Sequence, residues 1–511
     1  MTASVNAATR AAALDRLASV PYDVIVVGGG ITGAGVVLDA ASRGLRAALV
    51  ERVDLAAGTS RWSSKLVHGG LRYLVKGDVA IAWESARERH HLMTAIAPHL
   101  TRPAANLFPL GDATPPPVGV AVEAGTRVAD AMRALAGTPR SLLPRPSRIS
   151  AAEALALAPG IRPDDLRGAV LHWDGQLEDD ARLVTAVART AAALGADIVT
   201  RCAAVDLGDR RVLLRDELTG ATLEGRGHVV SATGVWAGEH EPSLTISPSR
   251  GSHLVVRASA LGGPRAICYA PVPGQFARSV FAIPQPDGLV LIGLTDVPTT
   301  EKDAIAPTVP EEDVRFLLDT MNRVLERPLD AADVVGRYAG LRPLVRHHAG
   351  GETADVSRRH LIVDEPGRPV TIAGGKLTTY RQMAQDAVDA VCRRAAITVP
   401  CRTRTLPVVG AAPRGVLAQV RASSRLVRRY GTEATTVAHL AADHPRLAAP
   451  VSDGCPTIGA ELLFGVLHEG ALTVEDLVER RTRVSFDEAA LPAARELAER
   501  VLEIADGLRA G

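Results

Sequence analysis

The first long apolar stretch of the chain, Tyr22 to Val27, is a β-branched run bounded by Pro21 and a glycine cluster. Such a run predicts a strand that is buried on both faces. A helical pattern follows from Thr32 to Arg43 and ends at Gly44, which suits a left-handed helix cap. Leu45 to Glu51 then predicts a second strand. The order strand, helix, strand predicts a βαβ unit with parallel strands.

The pattern continues along the first half of the chain. Helical periodicity predicts helices over residues 78–96 and 179–194, and the apolar run from His228 to Thr233 predicts another buried strand. The proline-rich stretches 103–117 and 138–146 predict connections without regular structure.

The second half of the chain shows a different pattern. Over residues 244–296 short apolar runs alternate with turn residues, which predicts an antiparallel sheet that forms a second layer. The segment from Thr371 predicts a strand, a tight turn at Gly374–Gly375 and a helix. From about Pro400 the pattern is helical to the end, which predicts a separate C-terminal helical domain.

Composition narrows the functional classes. A chain of 511 residues is too long for one hydrophobic core and predicts roughly two to four domains. Lys and Arg number 58 against 57 Asp and Glu, so no global charge favours nucleic acid as a partner. The five cysteines include no C-x-x-C pair, which argues against a zinc site or a disulfide framework and favours the reducing cytoplasm.

The sequence also bears on membranes. No run of about 18 uncharged apolar residues occurs, so no segment is expected to span a bilayer, although the protein could lie on one. The Ala-rich first twenty residues are interrupted by Arg10, Asp15 and Arg16. They do not resemble a secretory signal and are interpreted as a loose or helical tail.

A glycine motif carries the first chemical prediction. Gly28-x-Gly30-x-x-Gly33 directly follows the first strand and opens the helix, where glycines permit a tight turn and close approach of a pyrophosphate to the backbone. Glu51 ends the next strand, where its carboxylate is suited to accept hydrogen bonds from both ribose hydroxyls. The context predicts a dinucleotide site.

The sequence favours FAD over a nicotinamide cofactor. Only one such motif occurs, which disfavours two dinucleotide-binding domains in one chain. The helix that follows Gly374–Gly375 is expected to direct its positive end at an electron-rich ring carbonyl. Reduced flavin carries negative charge in that region, so this arrangement suits FAD.

Longer strings carry a family resemblance. The chain contains, in this order, GGGITGAGVVLDAASRG, TSRWSSKLVHGGLRYL, APHL, EDDARLV, SATGVW, GSHLVV, IGLTDVP, YAGLRPL, GGKLTTYRQMA and VLHEGALTVEDLVERRTRV. From about residue 20 to beyond residue 480 it resembles the FAD-dependent glycerol-3-phosphate dehydrogenases, and closely their aerobic, respiratory branch. HGGLRYL and GGKLTTYR are far more specific than the glycine motif. That family's oxygen-using oxidases carry a central insertion for which this chain has no room.

The resemblance implies an α/β fold. It has a Rossmann-type FAD-binding domain of the glutathione-reductase and amino-acid-oxidase type, an antiparallel-sheet substrate domain and an all-α C-terminal cap. The predicted division is an N-terminal tail 1–20, a discontinuous FAD-binding domain 21–100, 165–240 and 335–395, a substrate domain 101–164 and 241–334, and a helical domain 396–511. It also implies oxidation of sn-glycerol 3-phosphate to dihydroxyacetone phosphate, with hydride transfer to flavin N5 and electrons passed to a membrane quinone. Peripheral association with the inner face of the cytoplasmic membrane is implied too, and a homodimer is left open.

One departure from the family pattern concerns SATGVW, which replaces the more usual Asn-Ala-Thr-Gly-Pro-Trp. Position 231 therefore carries Ser231 in place of the asparagine amide, and position 235 carries Val235 in place of the proline ring that sets the turn. Thr233 and Gly234 match the family pattern.

The predicted cofactor contacts come from several segments. Hydroxyls of the loop after Glu51 are suited to donate hydrogen bonds to the pyrophosphate and to the edges of the flavin ring. Gly69 and Gly70 would let the backbone pass close to the isoalloxazine. His68 is assigned to shaping this loop. The predicted set is Gly28, Gly30, Ile31, Thr32, Gly33, Glu51, Arg52, Thr59, Ser60, Ser63, Ser64, Lys65, His68, Gly69, Gly70, Ala204, Thr233, Gly234, Gly375, Lys376, Leu377 and Thr378.

The substrate is a small dianion that needs several cations above the flavin. By resemblance the predicted contacts are Arg72, Tyr73, Arg278, Arg342, Arg358 and Lys376. Loss of the hydroxyl proton calls for a base with a pKa near neutrality, and His253 in GSHLVV is the candidate, with Arg342 holding the developing alkoxide. A hydrogen-bonded core histidine is the structural alternative for His253.

Two other functions remain open. An amine oxidase of the sarcosine or glycine type shares this fold, but it binds a carboxylate and needs fewer cations than this chain supplies. A non-catalytic FAD-binding scaffold would have no reason to keep a converging set of cations.

Two arginine clusters bear on membrane contact. One comprises Arg421, Arg425, Arg428 and Arg429, and the other Arg480, Arg481 and Arg483. Each cluster is suited to anionic lipid headgroups, although a solvated helix face is the commoner explanation for such runs.

Overall fold

The computed structural model describes residues 4–70, 74, 78–112, 114–275, 278–301, 305–347 and 360–510. The strands of the described chain are β1 Val24–Val27, β2 Ala47–Val50, β3 Leu66–Val67, β4 Thr101–Leu110, β5 Ser147–Ile149, β6 Gly168–Leu177, β7 Asp197–Val199, β8 Cys202–Leu207, β9 Arg211–Asp216, β10 Thr222–Arg226, β11 His228–Ser231, β12 Leu244–Arg257, β13 Ile267–Pro271, β14 Ser279–Pro284, β15 Leu289–Gly293, β16 Val297–Pro298, β17 Val334–His347, β18 His360–Val363, β19 Val370–Gly374, β20 Pro450–Ser452 and β21 Cys455–Ile458.

The α-helices of the same residues are α1 Ala7–Ser19, α2 Ile31–Ser42, α3 Val79–His91, α4 Pro116–Leu135, α5 Ala151–Leu157, α6 Asp180–Ala193, α7 Ala237–His240, α8 Glu311–Asn322, α9 Tyr380–Arg394, α10 Arg414–Leu417, α11 Ser424–Tyr430, α12 Ala434–Asp443, α13 Gly459–His468 and α14 Leu491–Ala510. Short 3₁₀ and π turns join several of them.

The β-branched run at the start of the chain forms the centre of a parallel sheet. The strand order is β18-β19-β11-β1-β2-β7, and β1 pairs in parallel with both β2 and β11. All four residues of β1 are buried, because helices cover the sheet. Gly44 ends α2 with a φ of 86°, as the cap pattern predicts. The predicted parallel βαβ unit is confirmed.

The second sheet has the order β16-β12-β15-β14-β13-β4-β6-β3, with β17 paired to β12 and β5 to β6. The strands between residues 244 and 296 pair antiparallel, which confirms that prediction. The sheet is larger than predicted because it recruits strands from distant segments. Leu317 and Met321 of α8 contribute to the core beneath it.

The proline-rich stretch 103–117 was predicted as a connection, and this is wrong. Residues Thr101–Leu110 form β4, which pairs along its whole length with β6. On its other side β13 pairs only at Asn106 and Leu107. The prolines at 103 and 109 lie outside that short pairing, so fewer backbone donors are required there. Pro116 then begins α4, a position where proline's missing N–H costs nothing.

Three strands from the predicted FAD-binding segments are part of the large sheet and not of the parallel sheet. They are β3, β6 and β17, the last of which begins one residue before the predicted boundary at 335. Of the two interpretations of the N-terminal segment, a loose or a helical tail, the described residues show the helical one. Helix α1 is capped by Asn6, and the buried Arg10 binds the Thr200 carbonyl and Asp216.

The C-terminal residues fold around a separate helical core that includes Leu462, Leu463 and Phe464. A small hairpin, β20–β21, is its only strand pair among the described residues. None of the helices in the described ranges is both long enough and apolar enough to cross a membrane.

Candidate cofactor and substrate site

A cleft of about 990 Å³ lies at the carboxyl ends of the parallel strands and reaches the large sheet. Residues that follow β1, β2, β11 and β19 line one wall, and residues of β12 and β17 line another. Ligands bind at this edge of parallel sheets because the strand ends and helix N-termini converge there. Most predicted cofactor residues line this cleft, namely Gly28, Gly30, Ile31, Thr32, Glu51, Arg52, Thr59, Ser60, Ser63, Ser64, His68, Ala204, Thr233, Gly234, Gly375, Lys376, Leu377 and Thr378.

The glycine turn has space for backbone alone. Gly28 has a φ of 111°, and a Cβ there would lie 2.6 Å from the Ala232 carbonyl oxygen. A Cβ on Gly33 would lie 1.9 Å from the Gly28 oxygen, so this glycine lets α2 begin directly against the turn. The resulting cradle at the N-terminus of α2 fits the pyrophosphate of FAD.

Glu51 stands at the end of β2 and is oriented by the backbone. Its Oε2 accepts a hydrogen bond from the Gly29 N–H at 2.6 Å, and its Oε1 accepts one from the Val53 N–H at 2.7 Å. Burial raises the pKa of this carboxyl. The side chain faces the cleft next to the glycine turn, where a ribose bound beside the pyrophosphate would meet it.

The serine-rich loop places its hydroxyls along the cleft. Ser60 Oγ accepts a hydrogen bond from the Ile31 N–H at 2.9 Å, at the first residue of α2. Thr59 Oγ1 donates to the Leu341 carbonyl at 2.8 Å. Ser64 Oγ lies 2.8 Å from His253 Nε2. The loop therefore connects the cofactor wall to the large sheet.

Some predicted cofactor residues do not line the cleft. Lys65 is fully buried, and its Nζ lies 2.8 Å from Asp180 Oδ1. Its ammonium therefore forms an internal ion pair. Gly69 donates its N–H to the Asp174 carboxylate at 3.0 Å. Gly70, with a φ of 86°, packs against helix α3. Together with Gly33, these residues shape the chain behind the cleft.

His253 lies on β12 and is 2% exposed. Its ring stacks on Tyr338 with 4.7 Å between centroids and 9° between planes. Burial, with the charges of Lys65 and Arg342, lowers its pKa to about 3. This pKa lies below the near-neutral value expected of the base, and an imidazole with such a pKa is neutral at physiological pH.

Three predicted cations share the cleft with His253. Arg342 Nη1 lies 3.3 Å from Asp296 Oδ1, and its Nη2 donates to the Thr295 carbonyl at 3.2 Å. Lys376 Nζ donates to Ser85 Oγ at 3.2 Å. Arg278 Nη1 donates to Gln275 Oε1 at 2.9 Å. The other predicted substrate residues, Arg72, Tyr73 and Arg358, lie outside the described residues.

Sequence reasoning missed an aromatic and apolar arm of the cleft. Phe108, His172, Tyr269 and Phe281 line it, and burial lowers the pKa of His172 to about 4. Val118 and Val122 of α4 line the same cleft. The alternation of apolar and polar residues in β13 and β14 could have indicated Tyr269 and Phe281. Phe108 lies in a proline-rich stretch that was predicted to be a connection, so no strand pattern pointed to it.

The arginine clusters are mostly internal. Arg429, Arg480, Arg481 and Arg483 are buried, and they pair with Asp179, Asp54 and Asp287. These four side chains therefore do not form a lipid-facing surface. Arg425 pairs with Glu461, and Arg428 lies 3.6 Å from Glu178.

Comparison with known proteins agrees with this architecture. Residues 23–381 match the family model described as FAD dependent oxidoreductase. Residues 401–507 match the model described as the C-terminal domain of alpha-glycerophosphate oxidase. The first model covers most of the sheet-containing body, and the second covers most of the helical domain.

Individual relatives extend over nearly the whole chain. Glycerol-3-phosphate dehydrogenase 1 of Mycobacterium tuberculosis is 47% identical over 495 residues, covering 95% of this chain and 96% of its own. The mitochondrial glycerol-3-phosphate dehydrogenase of Mesocricetus auratus is 32% identical, covering 94% of this chain and 70% of its own. The X-ray structure of the glycerol-3-phosphate dehydrogenase from Bacillus halodurans complexed with FAD superposes with a TM-score of 0.75 at 27% identity, covering 98% of this chain and 94% of that one. The chain therefore belongs to the glycerol-3-phosphate dehydrogenase family of FAD-dependent oxidoreductases, and FAD is its cofactor.

Proposed function

We propose that the protein oxidises sn-glycerol 3-phosphate to dihydroxyacetone phosphate and passes the electrons to a quinone in the membrane. The observation that carries this proposal is the placement of His253, Arg278, Arg342 and Lys376 around the same cleft as the FAD turn. A phosphate dianion needs several cations, whereas the carboxylate of an amine substrate needs one or two.

Oxidation of the secondary alcohol removes a hydride from carbon 2 and a proton from its hydroxyl. FAD, when bound, supplies the two-electron acceptor, with N5 as the site that receives the hydride. The protein must therefore hold the phosphate, orient the carbinol carbon and accept the proton.

Arg342 is suited to hold negative charge near the reacting carbon. Asp296 and the Thr295 carbonyl orient its guanidinium, and the Gly251 backbone lies beneath it with no side chain between them. A fixed guanidinium stabilises a developing alkoxide without reorganising during the reaction. In this proposal Arg278 and Lys376 bind the phosphate.

His253 is suited to receive the proton because its imidazole is neutral. Its Nε2 lies 2.8 Å from Ser64 Oγ, which itself lines the cleft. The proton would pass to Nε2 directly or through this hydroxyl. The stack on Tyr338 fixes the ring plane.

The apolar side of the cleft mouth supports a membrane acceptor. Helix α4 exposes Val120, Val128 and Leu135, while Val118 and Val122 of the same helix line the cleft. A helix that exposes apolar side chains at the surface and also lines the cleft suits a cytoplasmic protein bound peripherally to the bilayer, where an apolar quinone resides.

The decisive experiment is anaerobic reduction of the purified yellow protein. Glycerol 3-phosphate should bleach the flavin absorbance, whereas glycerol and sarcosine at equal concentration should leave it unchanged. Reoxidation should be faster with quinone-loaded phospholipid vesicles than with quinone-free vesicles in oxygen-saturated buffer. Bleaching by sarcosine alone would replace the proposal with an amine oxidase, and bleaching by none of the three would support a scaffold.

A further inference from the structure

The chain from Glu51 to Arg61, here called the flavin loop, has two faces. Glu51, Arg52, Thr59 and Ser60 line the cofactor cleft. Asp54 points the other way and is 1% exposed. A buried carboxylate is costly unless it is paired, so what binds Asp54 bears on how the loop is held.

Asp54 is bound by two arginines of the C-terminal domain. Arg481 donates from Nη1 and Nη2 to the two carboxylate oxygens, each at 2.9 Å, in a bidentate fork. Arg480 Nε donates to Asp54 Oδ2 at 2.8 Å. Both arginines belong to the one-turn π-helix Asp476–Arg481.

The same short helix also binds the far end of the flavin loop. Arg61 Nη1 lies 2.8 Å from Glu479 Oε2, and Arg61 Nε donates back to the Ala57 carbonyl at 3.2 Å. Glu479 Oε2 is shared with Arg480 Nη1 at 2.9 Å. We call the contacts of Asp54 and Arg61 with Glu479, Arg480 and Arg481 the interdomain clamp.

Every charged group of the clamp has a partner of opposite charge. Burial by itself raises the pKa of Asp54, but Arg481 and Arg480 outweigh it and hold the pKa below its usual value. Arg480 Nη2 also binds Asp476, which receives Arg201 Nη2 at 2.7 Å. Neutralising Asp54 would remove the carboxylate that Arg481 binds with two nitrogens and one of the three carboxylates that Arg480 binds, which is costly for buried arginines.

We propose that Arg480 and Arg481 are positioning residues for FAD, through which the C-terminal domain holds the flavin loop in its cofactor-binding conformation. The arginines do not line the cleft and act on FAD through Asp54. By linkage, FAD binding and order in the helix Asp476–Arg481 stabilise each other.

The test compares the clamp with an interdomain ion pair that does not contact the loop. Asp54→Asn removes the clamp charge with little change in shape. Arg481→Lys keeps the charge but loses the fork. Glu479→Gln removes the carboxylate partner of Arg61 by changing a side chain that is 25% exposed. The matched control is Glu433→Gln, which breaks the bidentate pair between Glu433 and Arg189 of α6. Full-length proteins stripped of FAD are titrated with FAD by flavin fluorescence, and unfolding temperatures are recorded alongside.

The FAD dissociation constant should rise about tenfold or more in Asp54→Asn, and by a smaller factor in Arg481→Lys and Glu479→Gln. Glu433→Gln should bind FAD within about twofold of the native protein even if its unfolding temperature falls. Hydrogen exchange of residues 476–483 should slow on FAD binding in the native protein and less so in Arg481→Lys. If Asp54→Asn does not fold, the two milder variants decide the question. Equal FAD affinity in the clamp variants and the control, with unchanged exchange, would overturn the proposal.

Discussion

His253 shows how environment sets the chemistry of one residue. The sequence identifies it only as a histidine on a strand, and a near-neutral pKa was the natural expectation for a base. Burial and two nearby cations instead lower its pKa to about 3. The imidazole is therefore ready to accept a proton over the whole physiological range, although it holds that proton weakly.

Replacing His253 with Gln should lower kcat by about a hundredfold and leave the FAD content unchanged, because the proton acceptor is lost while the flavin loop is intact. The pH dependence of kcat/KM in the native enzyme should show no ionisation of this histidine between pH 5 and pH 8, since its pKa lies well below that range. Steady-state kinetics with glycerol 3-phosphate check both points. Unchanged turnover in the variant would remove His253 from the mechanism.

Lys65 and Arg61 show the limit of residue-level prediction. Lys65 was predicted to contact the cofactor, but its partner is Asp180, 115 positions away in the chain. Arg61 pairs with Glu479, 418 positions away. The sequence of a loop shows which cations it contains. It does not show which distant carboxylates pair with them in the folded protein.

At the scale of elements, the first βαβ unit was predictable because its signals are local. A β-branched run, a glycine turn and a helix cap each depend on neighbouring residues. Strand β4 was missed because its pairing with β6 joins residues 58 to 76 positions apart, and its prolines argue locally against a strand.

The junction of β1 and α2 gives a test at this scale. Gly33→Ala should weaken FAD binding at least about tenfold and lower stability by about 1–3 kcal/mol, because its Cβ would lie 1.9 Å from the Gly28 oxygen and force the helix away from the turn. Gly507→Ala in α14 is the same chemical change, and a Cβ there meets nothing within 4 Å. That control should bind FAD normally. FAD titration and thermal unfolding distinguish the two, and normal FAD binding by Gly33→Ala would contradict the assigned turn geometry.

At the scale of the whole molecule, three buried histidines make stability depend on pH. Burial lowers the pKa of His99 to about 3, that of His253 to about 3 and that of His172 to about 4. Each folded-state pKa lies below the unfolded value of 6.5, so the unfolded chain binds more protons between these limits. Their contribution to the free energy of unfolding is fully present above pH 6.5 and is lost as the pH falls through the folded-state pKa values of about 3 to 4.

The free energy of unfolding should therefore fall between pH 7.5 and pH 5, with each histidine contributing about 2 kcal/mol of the loss at pH 5. His99 lies outside the cleft lining, so His99→Gln isolates this effect from cofactor binding. Denaturant unfolding at fixed FAD concentration should show a shallower pH dependence in the variant. The same slope in both proteins would mean that His99 does not titrate on unfolding.

The sequence by itself determined the dinucleotide turn, the parallel βαβ unit, the antiparallel layer between residues 244 and 296 and the helical C-terminal region. Each follows from periodicity, glycine geometry or motif order, which depend on residues close together in the chain. Only the tertiary structure decided that β6 and β17 belong to the large sheet, that His253 is buried beside two cations that lower its pKa and that Arg480 and Arg481 face inward. These outcomes depend on desolvation and on charge pairs between segments hundreds of residues apart, and neither quantity exists until the chain has folded.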